Sequence, residues 1–441
     1  MAKQFKKTKL ATAISVAAVG LGLSATADAV VVVGGDNGWE VSFDGNVNAF
    51  YTVADYDEGF TSLGLVAPAA TGSFSNTTTA HGSDRDISRV TSGFLPAFFS
   101  FNVKSPTVNG LTGTGRFSFA PAIQNANVKT QTYGGGLGGG GSQGIQGASI
   151  DMREVVVNVE GDFGTFSAGR TLSIFGRQAI LKDMTLFGVG APNKDNGSVT
   201  AGRIGRGYTY PNFNARFSYK TPNINGLQVE VGLYDPSTEQ LAAGQILDET
   251  DTPRFEAEAS YTTTFDNGSF QIWVDGLWQD IESSLTGASD DVTVSGFGVG
   301  GDLKFSGFNV VGYYYTGDGL GRSLQFVGGT RCGGAGVVCQ EADNDGFYVQ
   351  GSYTFNGKTK VGGSYGESNQ DGFGADAADG LAATGDVELS MWTIGVYHDM
   401  NSWLKLIAEY SNLENEYDAF GASIGGDTEA DVFSLGTFFL W

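Results

Sequence analysis

Val41-Ser42-Phe43-Asp44-Gly45-Asn46-Val47-Asn48-Ala49-Phe50-Tyr51-Thr52-Val53 is the stretch that decides the fold. Val41, Phe43, Gly45, Val47, Ala49, Tyr51 and Val53 fall on one parity, and Ser42, Asp44, Asn46, Asn48 and Thr52 fall between them. Successive side chains of a strand point to opposite faces, so this is a strand with one apolar and one polar face. Outward from it the pattern recurs. After a long polar run from Ala54 to Ser92, Leu95, Ala97, Phe99, Phe101 and Val103 form a second strand. Asn109-Gly110 makes a tight turn into a third, Leu111 to Phe119, which leads to a glycine-rich loop, Ala122 to Ser149.

From Val155 onward, strand pairs are split by short turns at Gly161-Asp162-Phe163-Gly164, Asn225-Gly226, Asn267-Gly268, Ser306-Gly307, Asn356-Gly357 and Asp399 to Ser402. Ala430 to Trp441 closes the chain. This gives sixteen strands whose long and short connections strictly alternate. A sandwich has no reason to sort its loops in this way, whereas a membrane barrel does, with short turns facing the periplasm and long loops facing outside. The expected fold is therefore an all-β, 16-stranded antiparallel transmembrane barrel, closed because lipid leaves no unpaired backbone group satisfied. The polar parity offers Arg216, Ser218 and Lys220, then Gln228 and Glu230, then Arg254, Glu256 and Glu258, then Gln271 and Asp275. Such a lining implies a water-filled lumen rather than a packed core. A soluble sheet with one wet face would also alternate, but it would not put apolar residues on the outside of every strand.

Bulk properties narrow the class. Lys3, Lys6, Lys7 and Lys9 precede an apolar run from Leu10 to Ser24, and Ala27-Asp28-Ala29 fits a cleavage site. Residues 1–29 read as a cleaved secretory signal, leaving one domain over 30–441. Removing the four lysines and one aspartate of the signal from a chain of net charge −23 leaves −26, a balance that disfavours nucleic acid. The 68 glycines and 31 phenylalanines suit twisted strands, tight turns and aromatic girdles rather than long helices. Two cysteines, Cys332 and Cys339, lie in one glycine-rich segment of an exported chain, so a local disulfide is expected, with free thiols as the alternative. Two histidines leave too few ligands for a zinc site. The outer loops are acidic, as at Asp55, Asp57 and Glu58 or Asp343 and Asp345. That suits either plain solvation or divalent cations bridging lipopolysaccharide.

Arg170 to Phe213 breaks the alternation and spaces Ile180, Met184 and Phe187 like helical turns. A long connection with its own pattern is usually functional. The reading adopted is a segment folded inward to narrow a pore, against a surface lid or a packing helix.

Two motifs carry a family resemblance. The last strand places Phe433, Leu435, Phe439 and the terminal Trp441 on one parity, with Thr437 interrupting, which resembles the terminal signal of Gram-negative outer-membrane barrels. Arg153-Glu154-Val155-Val156-Val157-Asn158-Val159-Glu160-Gly161-Asp162-Phe163-Gly164-Thr165-Phe166-Ser167-Ala168-Gly169-Arg170 resembles the fourth strand, turn and fifth strand of the general trimeric porins. Tyr208 to Leu227 resembles the segment that returns after their constriction loop. The resemblance implies a homotrimer in the outer membrane, with lipid and lipopolysaccharide as neighbours and no cofactor. Its function would be passive diffusion of ions and small hydrophilic solutes. It also implies a constriction loop after the fifth strand and a pore-wall role for Arg170. Strict alternation puts Arg170 with Phe166 and Ala168, a conflict that a bulge at Gly169 would resolve. A rim arginine reaching headgroups is the other reading. The family's acidic Pro-Glu-Phe-Gly-Gly tip is absent, and Asp183 and Asp195 stand in for it. Arg116, Arg177, Lys182, Arg203, Arg206 and Arg216 are the basic candidates facing those carboxylates across the constriction. A channel selective for small anions or organic acids, and an adhesive or structural barrel, are the competing functions. An enzyme would need a histidine beside a nucleophile or carboxylate, yet His398 falls at a periplasmic turn and His81 lies in the first long loop.

Overall fold

A computed structural model describes residues 30–35, 37–58, 60, 85–121, 123, 150–192, 200–237, 239–240, 246–283, 291–332, 339–374, 384–418 and 427–441. The signal segment 1–29, His81 and Asp195 lie outside the described residues. Sixteen strands form one antiparallel ring: β1 (Glu40–Tyr56), β2 (Arg85–Thr91 continued by Phe98–Lys104), β3 (Thr112–Pro121), β4 (Ile150–Gly161), β5 (Gly164–Leu172), β6 (Phe213–Lys220), β7 (Leu227–Tyr234), β8 (Arg254–Phe265), β9 (Gly268–Ser283), β10 (Asp291–Phe305), β11 (Phe308–Asp318), β12 (Asp343–Phe355), β13 (Thr359–Gln370), β14 (Val387–Asp399), β15 (Leu404–Tyr417) and β16 (Thr428–Leu440). The ring closes where β16 pairs with β1, from Asn46↔Leu440 to Tyr56↔Ala430. Val30–Gly34 adds a short strand beside the start of β1.

The short turns form as their residues dictate. Asn109, Asn225, Asn267, Ser306 and Asn356 all take positive φ, between 48° and 64°, which a two-residue hairpin turn requires and asparagine tolerates. Between the turns, the apolar parity points out on every strand. Phe217 is 70% exposed, while its neighbour Arg216 on the other face is 6% exposed. Phe270, Val310, Val349, Ile394 and Leu435 continue the outward band round the ring. Aromatic rings gather at its periplasmic edge, where Trp441 packs on Phe43, Phe99 and Phe439 with centroids 5.3–5.8 Å apart. Such a girdle seats a barrel at the membrane interface.

Two expectations need correction. The polar run Ala54 to Ser92 contains the outer half of β2, whose outward residues Asp86 and Ser88 lie level with Asp55 and Val53 of β1. Near the extracellular rim the outer face meets water or headgroups, so its residues need not be apolar and the alternation signal fades. The chain then leaves the wall at Ser92–Ala97 and resumes at Phe98, so Leu95 and Ala97 are buried rather than outward. Asn48 holds this inset, donating from Nδ2 to the Leu95 carbonyl at 2.9 Å and accepting from Gly93 N at 2.7 Å.

The interior is not polar throughout. Towards the extracellular side, inward residues such as Leu277, Ile281, Val294, Tyr315 and Leu413 are buried in one cluster with Phe175, Ile180, Leu186, Leu320 and Phe326 of the long connections. In the periplasmic half the lining is polar on β1, β3 and β6–β9, as at Asp44, Arg116, Ser218, Glu230, Glu258 and Asp275, but Val311, Tyr397, Ile407, Phe438 and Leu440 of β11 and β14–β16 join the buried cluster.

Candidate functional site

The connection from β5 to β6 enters the ring and is tied to its inner wall residue by residue. Ser173 N donates to the Asn212 carbonyl at 2.9 Å, closing the base of the segment. Ile174 N and Phe175 N donate to one carboxylate oxygen of Glu256 on β8, at 2.7 and 2.8 Å. Gly176, left-handed at φ 77°, turns the chain into the helix α1 (Arg177–Lys182) and donates to Asp275 on β9 at 3.2 Å. A short 3-10 turn, Met184–Phe187, follows, capped by Asp183. Along α1, Arg177 pairs with Glu230 of β7 at 2.9 Å and Glu258 of β8 at 3.2 Å, and Lys182 pairs with Asp302 of β10 at 2.9 Å. Tyr348 and Gln350 of β12 bond the main chain around Ala179, Lys182 and Met184. At the far side, Glu409 of β15 accepts from Val189 N at 2.6 Å and from Gly190 N at 3.2 Å. The returning strand of the segment is held by Arg203 to the Met391 carbonyl and Ser364, by Arg206 to the Ser390 and Glu414 carbonyls and Asn415, and by Gly207 N to Ser368.

The electrostatics follow from this packing. Burial opposes the charge on Arg177, but Glu230 and Glu258 outweigh it and raise its pKa. Arg206 is buried with no bonded carboxylate among the described residues, and desolvation pushes its guanidinium down to about 9, still charged at neutral pH. Burial, and then Asp183 2.7 Å from its hydroxyl, pushes the Tyr208 phenol up. Buried charges and amides of this kind are costly unless each finds a partner, which is why the wall strands carry a carboxylate or amide opposite each tether.

The candidate residues therefore separate. Arg116 lies on the inner face of β3, paired with Asp44 of β1 at 2.9 Å and Glu154 of β4 at 2.8 Å, and its side chain is 23% exposed. Arg177 and Lys182 share α1 but point at wall acids. Arg216 lies inside β6, bonded to the Leu172 carbonyl, Tyr234 and Glu230, and so supports the point where the segment leaves the wall. Arg203 and Arg206 are 0% exposed, so they are tethers of the segment and not solute-facing charges. Asp183 is buried too, accepting from Thr185 and Tyr208 instead of facing water. Arg170 is exposed on the outer face, because β4 and β5 pair without a shift from Val155↔Arg170 to Val157↔Ala168. There is no bulge at Gly169, and Arg170 does not line the pore. Residues the sequence reading passed over are Asp44, Glu154, Asp302, Glu409 and Tyr348. All but Tyr348 sit as lone carboxylates on polar parities, and that was the available signal.

Elsewhere, Cys332 lies opposite Cys339 in a two-stranded ribbon, and Cys339 is disulfide-bonded. His398 meets Thr359 Oγ1 at 2.8 Å. Among the described residues no group of three or more histidine, cysteine, aspartate or glutamate side chains is placed to hold a metal.

Comparison with known proteins agrees with this architecture. Among solved structures, the outer-membrane channel DcaP of Acinetobacter baumannii superposes with a TM-score of 0.60 at 17% identity, covering 93% of this chain and 100% of that one. An anion-selective porin from Comamonas acidovorans gives 0.55 at 13% identity, covering 91% and 100%. OmpF of Salmonella typhi gives 0.54 at 12% identity, covering 92% and 99%. Curated protein sequences yield no match. The family model for Gram-negative porins matches residues 10–418. With a closed ring of sixteen strands, a lipid-facing apolar band and a polar inner wall, the chain belongs to the Gram-negative porins and forms an outer-membrane channel for passive diffusion.

Proposed function

We propose that the segment between Ser173 and Asn212 is the constriction of this porin, and that solutes pass between it and the β1–β4 wall beside Asp44, Asn102 and Arg116. The supporting observation is the one-sided tethering. The bonds of the segment run chiefly to β7–β10 and β12–β15, whereas the Arg116 and Asp44 side chains stay 23% and 27% exposed. The finer reading is a preference for small anions, organic acids included. The segment carries Arg177, Lys182, Lys194, Arg203 and Arg206 against Asp183 and Asp195. Glu230, Glu258 and Asp302 pair with Arg177 and Lys182 of the segment itself, and Arg203 and Arg206 are buried, so the cation that meets the passage is Arg116, held between Asp44 and Glu154. A porin of the same fold from Comamonas acidovorans is anion-selective. A charged constriction biases which ions enter through its field at close range.

The measurement is the reversal potential across a planar bilayer under a KCl gradient. A potential of the anion-selective sign that moves towards cations in Arg116→Glu supports the reading, and an unmoved potential removes Arg116 from the passage. A barrel that only displayed its loops to a partner would give no conductance steps at all. The same reading includes signal cleavage between Ala29 and Val30, a Cys332–Cys339 bridge in an outer loop, a homotrimer and no catalytic activity.

A further inference from the structure

The inward segment shows the lumen an apolar edge. From Arg177 to Phe187 only Arg177, Gln178, Leu181, Lys182 and Phe187 are partly exposed. Arg177 and Lys182 pair with wall acids and Gln178 donates to Glu258, which leaves Leu181 and Phe187 as surface that water meets at a cost. Phe187 reaches the periplasmic ends of β15 and β16. Its ring packs edge-on against Phe438 with centroids 5.4 Å apart, and Lys405 Nζ stands 5.4 Å from its centroid. Lys405 bonds Asp399 of β14, and this inward row continues through Phe438 to Asn48 of β1, on the side of the passage.

The next inward row towards the segment runs Thr354, Lys360, Tyr397 and Ile407. Lys360 Nζ lies 4.3 Å from the Tyr397 centroid, and the side chain makes no hydrogen bond or ion pair among the described residues. The charges that act on it are Lys405, Glu409, Asp183 and Asp399. Each of these acids is already bonded, Asp399 to Lys405, Glu409 to two segment amides and the Tyr397 hydroxyl, and Asp183 to Thr185 and Tyr208. A ring face holds an ammonium group more weakly than a carboxylate does, so Lys360 can take an anion. Lys405 stands two strands away, roughly 10 Å across the wall, with Phe187 beside it. An anionic group between the two ammonium groups would carry its body against Phe187, and binding sites of this kind pair apolar surface with a few placed polar groups. We propose that Lys360 is an anion subsite on the periplasmic side of the constriction, selective for monocarboxylates with an apolar body. It rests on the anion-preferring passage proposed above and names the class of anion retained.

The test measures block of the KCl current through single channels in planar bilayers by benzoate and by acetate. Expected is saturable block at a lower concentration of benzoate than of acetate. The half-blocking concentration of benzoate should rise at least about fivefold in Lys360→Met and Lys360→Gln, equivalent to about 1 kcal/mol, and return towards wild type in Lys360→Arg. Heat-modified gel mobility shows that each barrel is intact, and either uncharged variant carries the test should the other misfold. Benzoate block that is equal in wild type and the uncharged variants overturns the proposal, and so does acetate blocking as strongly as benzoate. The failures separate. A wild-type reversal potential of cation-selective sign in a KCl gradient removes the anion-preferring passage and this subsite with it, whereas an anion-selective potential with block that ignores Lys360 removes the subsite alone.

Discussion

Removing the Glu409 carboxylate is the most direct way to ask whether the inward segment is held as its bonds imply. Glu409 is buried and has no bonded cation among the described residues. It accepts from Val189 N at 2.6 Å, from Gly190 N at 3.2 Å and from the Tyr397 hydroxyl at 2.5 Å. Glu409→Ala leaves two buried amides and one hydroxyl without their acceptor. Each orphaned group costs about 1–3 kcal/mol, and relief from burying a carboxylate offsets part of the sum, leaving a net loss of about 3 kcal/mol at this end of the segment. At 1.4 kcal/mol per factor of ten, the unpinned population rises roughly a hundredfold. The rest of the segment keeps its ties to Glu256, Glu230 and Asp302, so the barrel itself should fold. In single-channel recordings the wild type should hold one steady open level, and Glu409→Ala should flicker among sublevels with a higher mean conductance. Glu409→Gln, which can still accept from the amides, should lie between them. Traces of Glu409→Ala that match the wild type in both level and noise, from protein with normal heat-modified gel mobility, would falsify the assignment of this carboxylate as a tether of a pore-narrowing segment.

Other consequences can be measured independently. Val349 faces lipid midway along β12, so Val349→Arg should lower refolding stability in bilayers by about 2–4 kcal/mol, while Asn309→Arg on the inner face of β11 should cost little. Urea titrations of the two variants would have to differ in that order. The proposed Cys332–Cys339 bridge closes only a short loop, so Cys339→Ser should cost about 2.5 kcal/mol in the outer ribbon at most and leave conductance unchanged. Limited proteolysis near residue 333 should accelerate in that variant. Arg216→Leu leaves Glu230 with one cation and removes the donor to the Leu172 carbonyl, so thermal stability should fall by about 3 kcal/mol. A melting temperature equal to wild type would show that this buried pair contributes no net stability.

Most of the fold was legible because a barrel writes its pattern one residue at a time. Lipid on one face and water on the other force period-two alternation wherever a strand crosses the apolar band, and each two-residue turn needs a residue that accepts positive φ, as Asn225 and Asn356 do. Legibility failed where that one-dimensional rule stops applying. At Arg85–Thr91 the outer face has left the hydrocarbon, and at Ser92–Ala97 the chain leaves the wall to meet Leu186 and Gly188 of the inward segment. Leu277 and Val294 likewise look like ordinary strand residues and become core only because another segment lies against them.

By itself, then, the sequence determined the number of strands, which face of each meets lipid, where the short turns fall and which connection is unlike the rest. Those properties depend on neighbours in the chain and on the solvent each face meets. The roles of the charges were decided by tertiary structure alone. Arg203, Arg206, Arg170 and Arg116 are indistinguishable as letters, yet two are fully buried tethers, one stands on the lipid side and one lines the lumen beside Asp44. A charge takes its role from the carboxylates, carbonyls and water within a few ångströms, and in this ring those come from strands up to 209 residues away in sequence.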